Sequence, residues 1–263
     1  MTDAEIVRME HIVKSFGPVK ALRDVHLLLG RGEVLGLVGD NAAGKSTLMK
    51  VLTGAYQGDS GSVYFDGEEV HWQSPHESRL AGIEMVYQDF ALAGNLDITA
   101  NVFMGRELVR PRLGPVMKLL DEQSMDEEAA SLLERLKIEV KSVRLRVENL
   151  SGGQRQAVAI ARATAFRAKV VIMDEPTAAL AVKEVSKVLE IIRGLKEHDI
   201  SVIIISHRLQ DIFQVCDRIM VLRQGRNAGE RLVGETTMDE IVALIVGAKE
   251  DYEEGLRSVA AGV

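Results

Sequence analysis

Apolar residues along the chain fall into short runs whose period switches between strand-like and helix-like. Ile6–Phe16 reads as extended and β-rich up to the punctuation Gly17-Pro18, and Val25–Leu29 follows before the turn Gly30–Gly32. Val34–Val38 is an apolar run with turn signals on both sides, which suits a buried strand. A glycine-rich loop then opens a helix from Lys45 to about Gly54. Ser62–Phe65 and Glu68–His71, joined by Asp66-Gly67, read as a hairpin, because Asp-Gly tolerates the positive φ of a tight turn. Ser74-Pro75 looks like a helix start with Ser as N-cap and Pro at N1, and Ile83–Tyr87 is a further strand.

The pattern changes over residues 97–137, where β alternation is missing. Asp97 or Thr99 can cap a helix towards Gly105, Arg110–Pro115 reads as a loop, and Asp121–Leu136 as a helix with acidic residues in its first half. Alternation then resumes. Val170–Met173, Val202–Ile205 and Arg218–Leu222 read as strands, with helices at Val182–His198, Leu209–Val215 and Met238–Val246. Gln224–Leu232 forms a turn and return strand, and Lys249–Val263 a frayed tail. Strands alternating with helices imply a mostly parallel sheet covered on both faces.

Composition narrows the class. Charged residues make up 27% of the 263 residues, an ordinary share for a globular protein, and aromatics only 4%, so the core must be aliphatic. The net charge of -7 argues against affinity gained by neutralising nucleic-acid phosphates. No apolar run approaches the ~20 residues of a membrane-spanning helix, and Asp3 and Glu5 stand where a signal peptide is basic. The expectation is a soluble chain that reaches a membrane only through a partner. The single cysteine, Cys216, cannot form an internal disulfide and reads as a small buried apolar residue.

Gly39-Asp40-Asn41-Ala42-Ala43-Gly44-Lys45-Ser46-Thr47 matches the phosphate-loop pattern of two spaced glycines followed by Lys and Ser/Thr. A triphosphate is a dense anion, and a nest of backbone N–H groups at a helix N-terminus suits it. Gly44 permits close backbone approach, Lys45 brings a point charge to the β/γ oxygens, and the Ser46 hydroxyl ligates Mg²⁺. The loop follows an apolar strand and opens a helix, which a solvated glycine-rich turn need not do. Val170–Met173 ends in Asp174 and Glu175. In open α/β sheets ligands bind at the carboxyl ends of strands, so Asp174 would help hold the hydrated Mg²⁺ and Glu175 would polarise an attacking water.

Asn149-Leu150-Ser151-Gly152-Gly153-Gln154 precedes a helix to about Arg167. Here the sequence resembles the ATP-binding cassette (ABC) ATPases, whose hallmark is Leu-Ser-Gly-Gly-Gln. The resemblance covers nearly the whole chain. It implies an α/β P-loop NTPase (RecA-like) core with a mostly parallel sheet, an antiparallel β subdomain and an α-helical signature subdomain. Residues 1–247 would then be one ATPase domain, with core and antiparallel parts in 1–90 and 168–247, a helical part in about 91–167, and a tail at 248–263.

The same resemblance assigns further roles. Phe16 matches the adenine-stacking position, with core packing as the alternative. Gln88 looks like the glutamine that touches Mg²⁺ and the attacking water and links the cassette to a membrane subunit. His207 looks like the histidine that contacts the γ-phosphate and Glu175. Leu150, Ser151, Gly152, Gly153 and Gln154 of one cassette would complete the phosphate site of another. One phosphate loop and one signature per chain therefore imply a homodimer, or a pair with a similar cassette. The family's usual Asp is replaced by Ala181, which removes a carboxylate from that intersubunit contact.

Finer similarity lies in Tyr87–Leu92, Asn95–Asp97, Asn101–Glu107 and Thr177–Leu180, which look like bacterial monosaccharide-importer cassettes of the ribose/xylose/fructose type. That likeness implies membrane permease subunits and, indirectly, a periplasmic sugar-binding protein as partners, with the chain peripheral on the cytoplasmic face of the membrane. The competing reading is a soluble ABC ATPase of translation or DNA repair. Such proteins usually carry two cassettes or a long coiled-coil insertion, and neither is present. A third is a regulator that binds ATP without hydrolysing it, against which Glu175 and His207 argue. His71, Trp72 and His76 are left without a role.

Overall fold

The structure is a computed structural model, and it describes residues 5–111 and 118–247. In chain order, β1 (Glu5–Phe16) and β2 (Val19–Gly30) form a long hairpin, followed by β3 (Val34–Val38), α1 (Lys45–Leu52), β4 (Ser60–Phe65) and β5 (Glu68–Val70). Then come α2 (Pro75–Ala81), β6 (Ile83–Val86), α3 (Ile98–Phe103), β7 (Val109–Pro111), β8 (Lys118–Leu120) and α4 (Glu122–Arg135). The C-terminal half supplies α5 (Gly152–Thr164), β9 (Val170–Asp174), α6 (Val182–Leu195), β10 (Ser201–Ile205), α7 (Leu209–Val215), β11 (Arg218–Arg223), β12 (Arg226–Leu232) and α8 (Met238–Val246).

The central sheet has six strands in the order β12-β11-β3-β10-β9-β6. Every pairing in it is parallel except β11 with β12. A second, antiparallel sheet has the order β2-β1-β4-β5. The expected α/β architecture is therefore the observed one.

The two-residue period of the central strands explains the layering. Val171, Met173, Val202, Ile204, Ile219 and Val221 point to the face covered by α5, α6 and α7. Leu35, Leu37, Ile172, Ile203, Ile205 and Leu222 point to the face shared with α1 and the antiparallel sheet. Both faces are buried, so the strands read as unbroken aliphatic runs. Each fully buried aliphatic side chain contributes about 1.5–3 kcal/mol, which makes this sheet a stiff platform. The Asp66-Gly67 turn takes φ values of 51° and 94°, as the sequence predicts.

Asp97 caps α3 by accepting a hydrogen bond from Ala100 N–H at 2.7 Å. Asp121 caps α4 by accepting from Ser124 N–H.

Three expectations need correction. The middle block does contain β structure, since β7 and β8 pair antiparallel, so Arg110 and Pro111 belong to a strand. Residues 112–115 of the expected loop, and the tail at 248–263, lie outside the described residues. Strand β2 starts at Val19, six residues before the apolar run at Val25, because its first half is an exposed edge. The helix after the signature ends at Thr164, and Arg167 takes a positive φ of 52°. Among the described residues no helix is long and apolar enough to cross a membrane.

Candidate active site

Parallel register brings three strand ends to one edge of the sheet. Ile205 of β10 lies opposite Leu37 of β3 on one side and Asp174 of β9 on the other. The segments that follow, Gly39–Thr47, Glu175–Thr177 and Ser206–Arg208, therefore emerge side by side, although they are far apart in sequence.

The first segment is the phosphate loop. Gly39 and Gly44 have φ of 147° and 105°, and a Cβ on either would meet backbone oxygens, Leu222 O at 2.1 Å and Ala21 O at 2.8 Å. Only glycine fits both positions. The β11–β12 turn supports the loop from behind, where Gly225 N–H donates to Ala43 O at 3.0 Å. Lys45 lies at the start of α1 and donates to Gly39 O at 2.6 Å and Asp40 O at 2.9 Å. Ala43 and Gly44 are buried, whereas Asp40, Asn41, Ala42 and Ser46 are exposed, and Thr47 is half-buried. The loop thus offers backbone and a hydroxyl to solvent around a held ammonium.

Burial pulls the Lys45 ammonium below its ordinary range, and Glu175, Asp174 and Asp40 oppose that pull. Burial likewise pushes the Asp174 carboxyl up, and the charge of Glu175 adds to it, while Lys45 and Lys50 act the other way. Ionised Asp174 is thus penalised where it stands. A cation or a cation-bearing ligand beside it would relieve that penalty.

Glu175 is the most constrained acid of the group. Its φ is 51°, and its backbone N–H donates to Ile205 O at 2.8 Å. Its carboxylate accepts from His207 N–H at 3.1 Å and from the Ser206 hydroxyl at 3.4 Å. The His207 ring Nδ1 lies 2.8 Å from Glu175 Oε2. The His207 side chain is otherwise 71% exposed, so one face of this pair is free to meet a ligand or a second molecule.

Behind the pair stands a residue that periodicity does not single out. Asp211, on α7, is buried. It accepts a hydrogen bond from the Thr177 hydroxyl at 2.5 Å and pairs with Arg208 at 3.4 Å. Asp211 therefore ties the segment after Glu175 to the segment after His207. Nothing in Leu209-Gln210-Asp211-Ile212-Phe213-Gln214-Val215 marks that acid as buried, so the sequence carries no signal for it.

Gln88 leaves the same sheet edge, because Val86 at the end of β6 pairs with Met173 of β9, whereas Phe16 and the signature tip belong to other parts of the fold. Phe16, at the end of β1, is 43% exposed and meets Tyr56 edge-to-face at 5.2 Å. That places it outside the core, with the Lys14 ammonium over its ring at 5.6 Å from the centroid. Gln88 is exposed beyond β6. Ser151 caps α5 in a full capping box, accepting from Gln154 N–H at 3.2 Å while its own N–H donates to Gln154 Oε1 at 3.1 Å. The Gln154 amide also reaches Glu139 O at 3.4 Å. This tip makes its hydrogen bonds with neighbours in its own helical region and with Glu184, and none of them with the phosphate loop. Leu150 is buried beneath it.

Glu184, on α6, was also not foreseen. Hydrogen bonds from Ser151 and from Gly153 N–H, then from Ala181 N–H, hold its carboxyl below the usual range. A Cβ on Gly153 would lie 2.7 Å from Glu184 Cβ, so this glycine lets α5 and α6 touch. Ala181 is the N-cap of α6, and since its side chain has no acceptor, only the Glu184 half of a capping box forms, at 3.3 Å.

Comparison with known proteins decides the family. One family's sequence model, described as ABC transporter, matches residues 22–178. The chain belongs to the ABC transporter family. This cassette is 43% identical over 242 residues to the xylose/arabinose import ATP-binding protein of Sulfolobus acidocaldarius, spanning 92% of this chain and 94% of that one. It is 42% identical over 258 residues to the fructose import ATP-binding protein of Rhizobium meliloti, spanning 97% and 99%. Among solved structures, the ADP conformation of an ATP-binding cassette of an ABC transporter superposes with a TM-score of 0.77 at 30% identity, covering 93% of this chain and 96% of that one. A dimeric post-hydrolysis cassette bound to ADP and phosphate superposes with a TM-score of 0.71 at 25% identity, covering 87% and 99%. ABC cassettes bind nucleotide, and the phosphate loop described above is where this one would hold it.

Proposed function

We propose that this cassette is the ATP-hydrolysing subunit of an importer for a monosaccharide. It works as a pair with a second copy, held on the cytoplasmic face of a membrane by permease subunits that a sugar-binding protein serves. The observation that carries the hydrolytic part is the convergence of Lys45, Asp174, Glu175 and His207 at one sheet edge. The sugar part rests on the two full-length import ATP-binding relatives.

In this reading the Gly39–Thr47 loop and Lys45 bind the β- and γ-phosphates, and Phe16 stacks on the base. Glu175 orients the attacking water and takes its proton, with His207 and Ser206 holding the carboxylate in place. Ser46, Gln88 and Asp174 form an oxygen-donor set suited to Mg²⁺, and the exposed Ser46 hydroxyl and the penalised Asp174 carboxylate fit it. Mg²⁺ bound there would neutralise charge on the phosphate oxygens. Leu150–Gln154 of the second copy presents its helix tip to the γ-phosphate. Residues 1–247 act as one ATPase domain with the boundaries set out above.

The test is reconstitution. The cassette is assembled in proteoliposomes with permease subunits from its source organism, and phosphate release is measured with xylose, arabinose, fructose and ribose, each with a binding protein for that sugar. Turnover that one sugar stimulates is expected. A rate indifferent to every sugar, or no attachment to the permease, removes the importer reading and leaves the ATPase.

Asp211 gives a narrower prediction. Asp211→Ala strands the Thr177 hydroxyl and Arg208 and is expected to cost about 1–3 kcal/mol of stability. Because it loosens the two segments that carry Glu175 and His207, kcat should fall roughly tenfold with KM for ATP unchanged. Thermal melting and steady-state kinetics check both parts. A variant that melts earlier but turns over normally shows Asp211 to be structural alone.

A further inference from the structure

Two β-bulges lie across from each other in the β1–β2 hairpin, built from residues that are not part of the phosphate loop. Pairing steps from Met9↔Leu27 to Ile12↔Val25, so Glu10 and His11 face the single residue His26. It then steps from Ile12↔Val25 to Val13↔Arg23, which leaves Asp24 as the extra residue on β2. His11 and Asp24 take φ of 54° and 68°, a region that His and Asp enter more readily than most side chains. Bulges re-aim side chains, and here they turn three donors to one point. Ligating atoms of His11, Asp24 and His26 all lie within 4.8 Å of one another.

The spacing suits a small ion. His11 Nδ1 is 2.7 Å from Asp24 Oδ1, and His26 Nε2 is 3.6 Å from the same oxygen. Tetrahedral zinc, with ligand bonds of about 2.0–2.1 Å, needs ligand atoms roughly 3.3–3.4 Å apart. The two observed distances bracket that value. The imidazole rings meet edge-to-face at 4.4 Å between centroids, so the two nitrogens approach without stacking. Two imidazoles and one carboxylate favour borderline metals such as zinc, cobalt, nickel and copper over Mg²⁺ or Ca²⁺, which prefer oxygen. All three side chains are exposed, so an ion can enter from solvent.

From this we infer that His11, Asp24 and His26 form a site for one divalent transition-metal ion of the zinc class, completed by water and separate from the nucleotide site.

Two further observations bear on its strength. Asp24 is held ionised chiefly by its hydrogen bond with His11, and a metal taking His11 Nδ1 as a ligand must displace any proton on that nitrogen to solvent, so binding should strengthen as pH rises. The positive charge of Arg226 also falls on Asp24, and it opposes a cation. Three ligands at an exposed site with a nearby arginine point to moderate affinity, well below that of a closed four-ligand zinc site. The ion would clip the two bulges together. Asn227 extends the clip, since its side chain accepts from His26 N–H at 2.9 Å and donates to His26 O at 2.8 Å. Asn227 belongs to the β11–β12 hairpin, whose turn residue Gly225 supports the phosphate loop.

The test uses the untagged full chain, stripped with chelator and free of nucleotide, titrated with zinc chloride by calorimetry, with Co²⁺ absorption as a second probe. One zinc per chain, a Co²⁺ spectrum of low coordination number and a raised melting temperature are expected. His11→Asn keeps a residue that tolerates the positive φ. It, Asp24→Asn and His26→Asn should each weaken binding by roughly tenfold or more without lowering the melting temperature of the metal-free chain. The His11→Asn/His26→Asn double variant should bind no stoichiometric zinc. Absence of one-to-one binding by the parent chain, or undiminished binding by the folded double variant, overturns the site.

Discussion

Replacing Glu175 with glutamine is expected to lower the ATP turnover rate by about 10²- to 10⁴-fold, the range for loss of a general base, while ATP binding survives. The substitution is close to isosteric, and the site tolerates it. The glutamine oxygen can still accept from His207 N–H, and its amide can turn towards the Ser206 hydroxyl and the His207 ring, which the carboxylate meets at 3.4 and 2.8 Å. What disappears is proton affinity at the atom facing the water. Binding without hydrolysis should leave two cassettes closed on ATP, so the variant should elute as a dimer with ATP and as a monomer with ADP. Single-turnover phosphate release and gel filtration measure the two halves separately. Unchanged phosphate release would remove Glu175 from the role of base.

The same site shows what a sequence can reveal and where it falls silent. The strands β3, β9 and β10 were legible because both faces of the sheet are buried, which writes them as uninterrupted aliphatic runs. The phosphate loop, Asp174, Glu175 and Ser151 could be picked out as candidates because the chemistry proposed for them requires particular residue types next to one another in the chain. Edge structure was not. β2 opens with Val19-Lys20-Ala21-Leu22-Arg23-Asp24, mostly exposed and carrying three charges. β7 and β8 are three residues each and include a proline and two basic residues. Neither shows alternation, and Val109, Arg110, Lys118 and Leu120 are exposed.

Long-range pairings were equally invisible. Nothing local tells that Asp211 answers Thr177, or that Glu184 answers Ser151 and Gly153, because each partner lies in another element. The grouping of His11, Asp24 and His26 depends on two bulges, and strand register is fixed by the fold as a whole. The geometry of the candidate site has the same origin. His207 reaches Glu175 only because β10 pairs with β9 in the register that puts Ile205 opposite Asp174.

A pair of inactive variants should rescue each other when mixed. Lys45→Ala removes the ammonium that the loop carbonyls hold, and ATP binding at that loop should be lost. Ser151→Arg places a bulky side chain at the tip of α5 and breaks the capping box, at a cost in helix stability of about 1 kcal/mol. Ser151 is exposed, so the fold should survive. Each variant alone can assemble only defective composite sites and should hydrolyse almost no ATP. In a mixed dimer, the intact loop of the Ser151→Arg chain meets the intact signature of the Lys45→Ala chain, which restores one site, while both lesions fall together in the other. An equimolar mixture should therefore recover activity, about a quarter of the parent rate where pairing is random, since half of the pairs are then mixed and each holds one good site of two. A site complete within one chain predicts a different pattern: Ser151→Arg alone would stay active, and mixing would add nothing. Steady-state phosphate release, with gel filtration to confirm dimers, separates the outcomes. Activity of isolated Ser151→Arg near the parent rate would show that the signature does not act across the dimer, and with it would go the reason for the cassette to work in pairs.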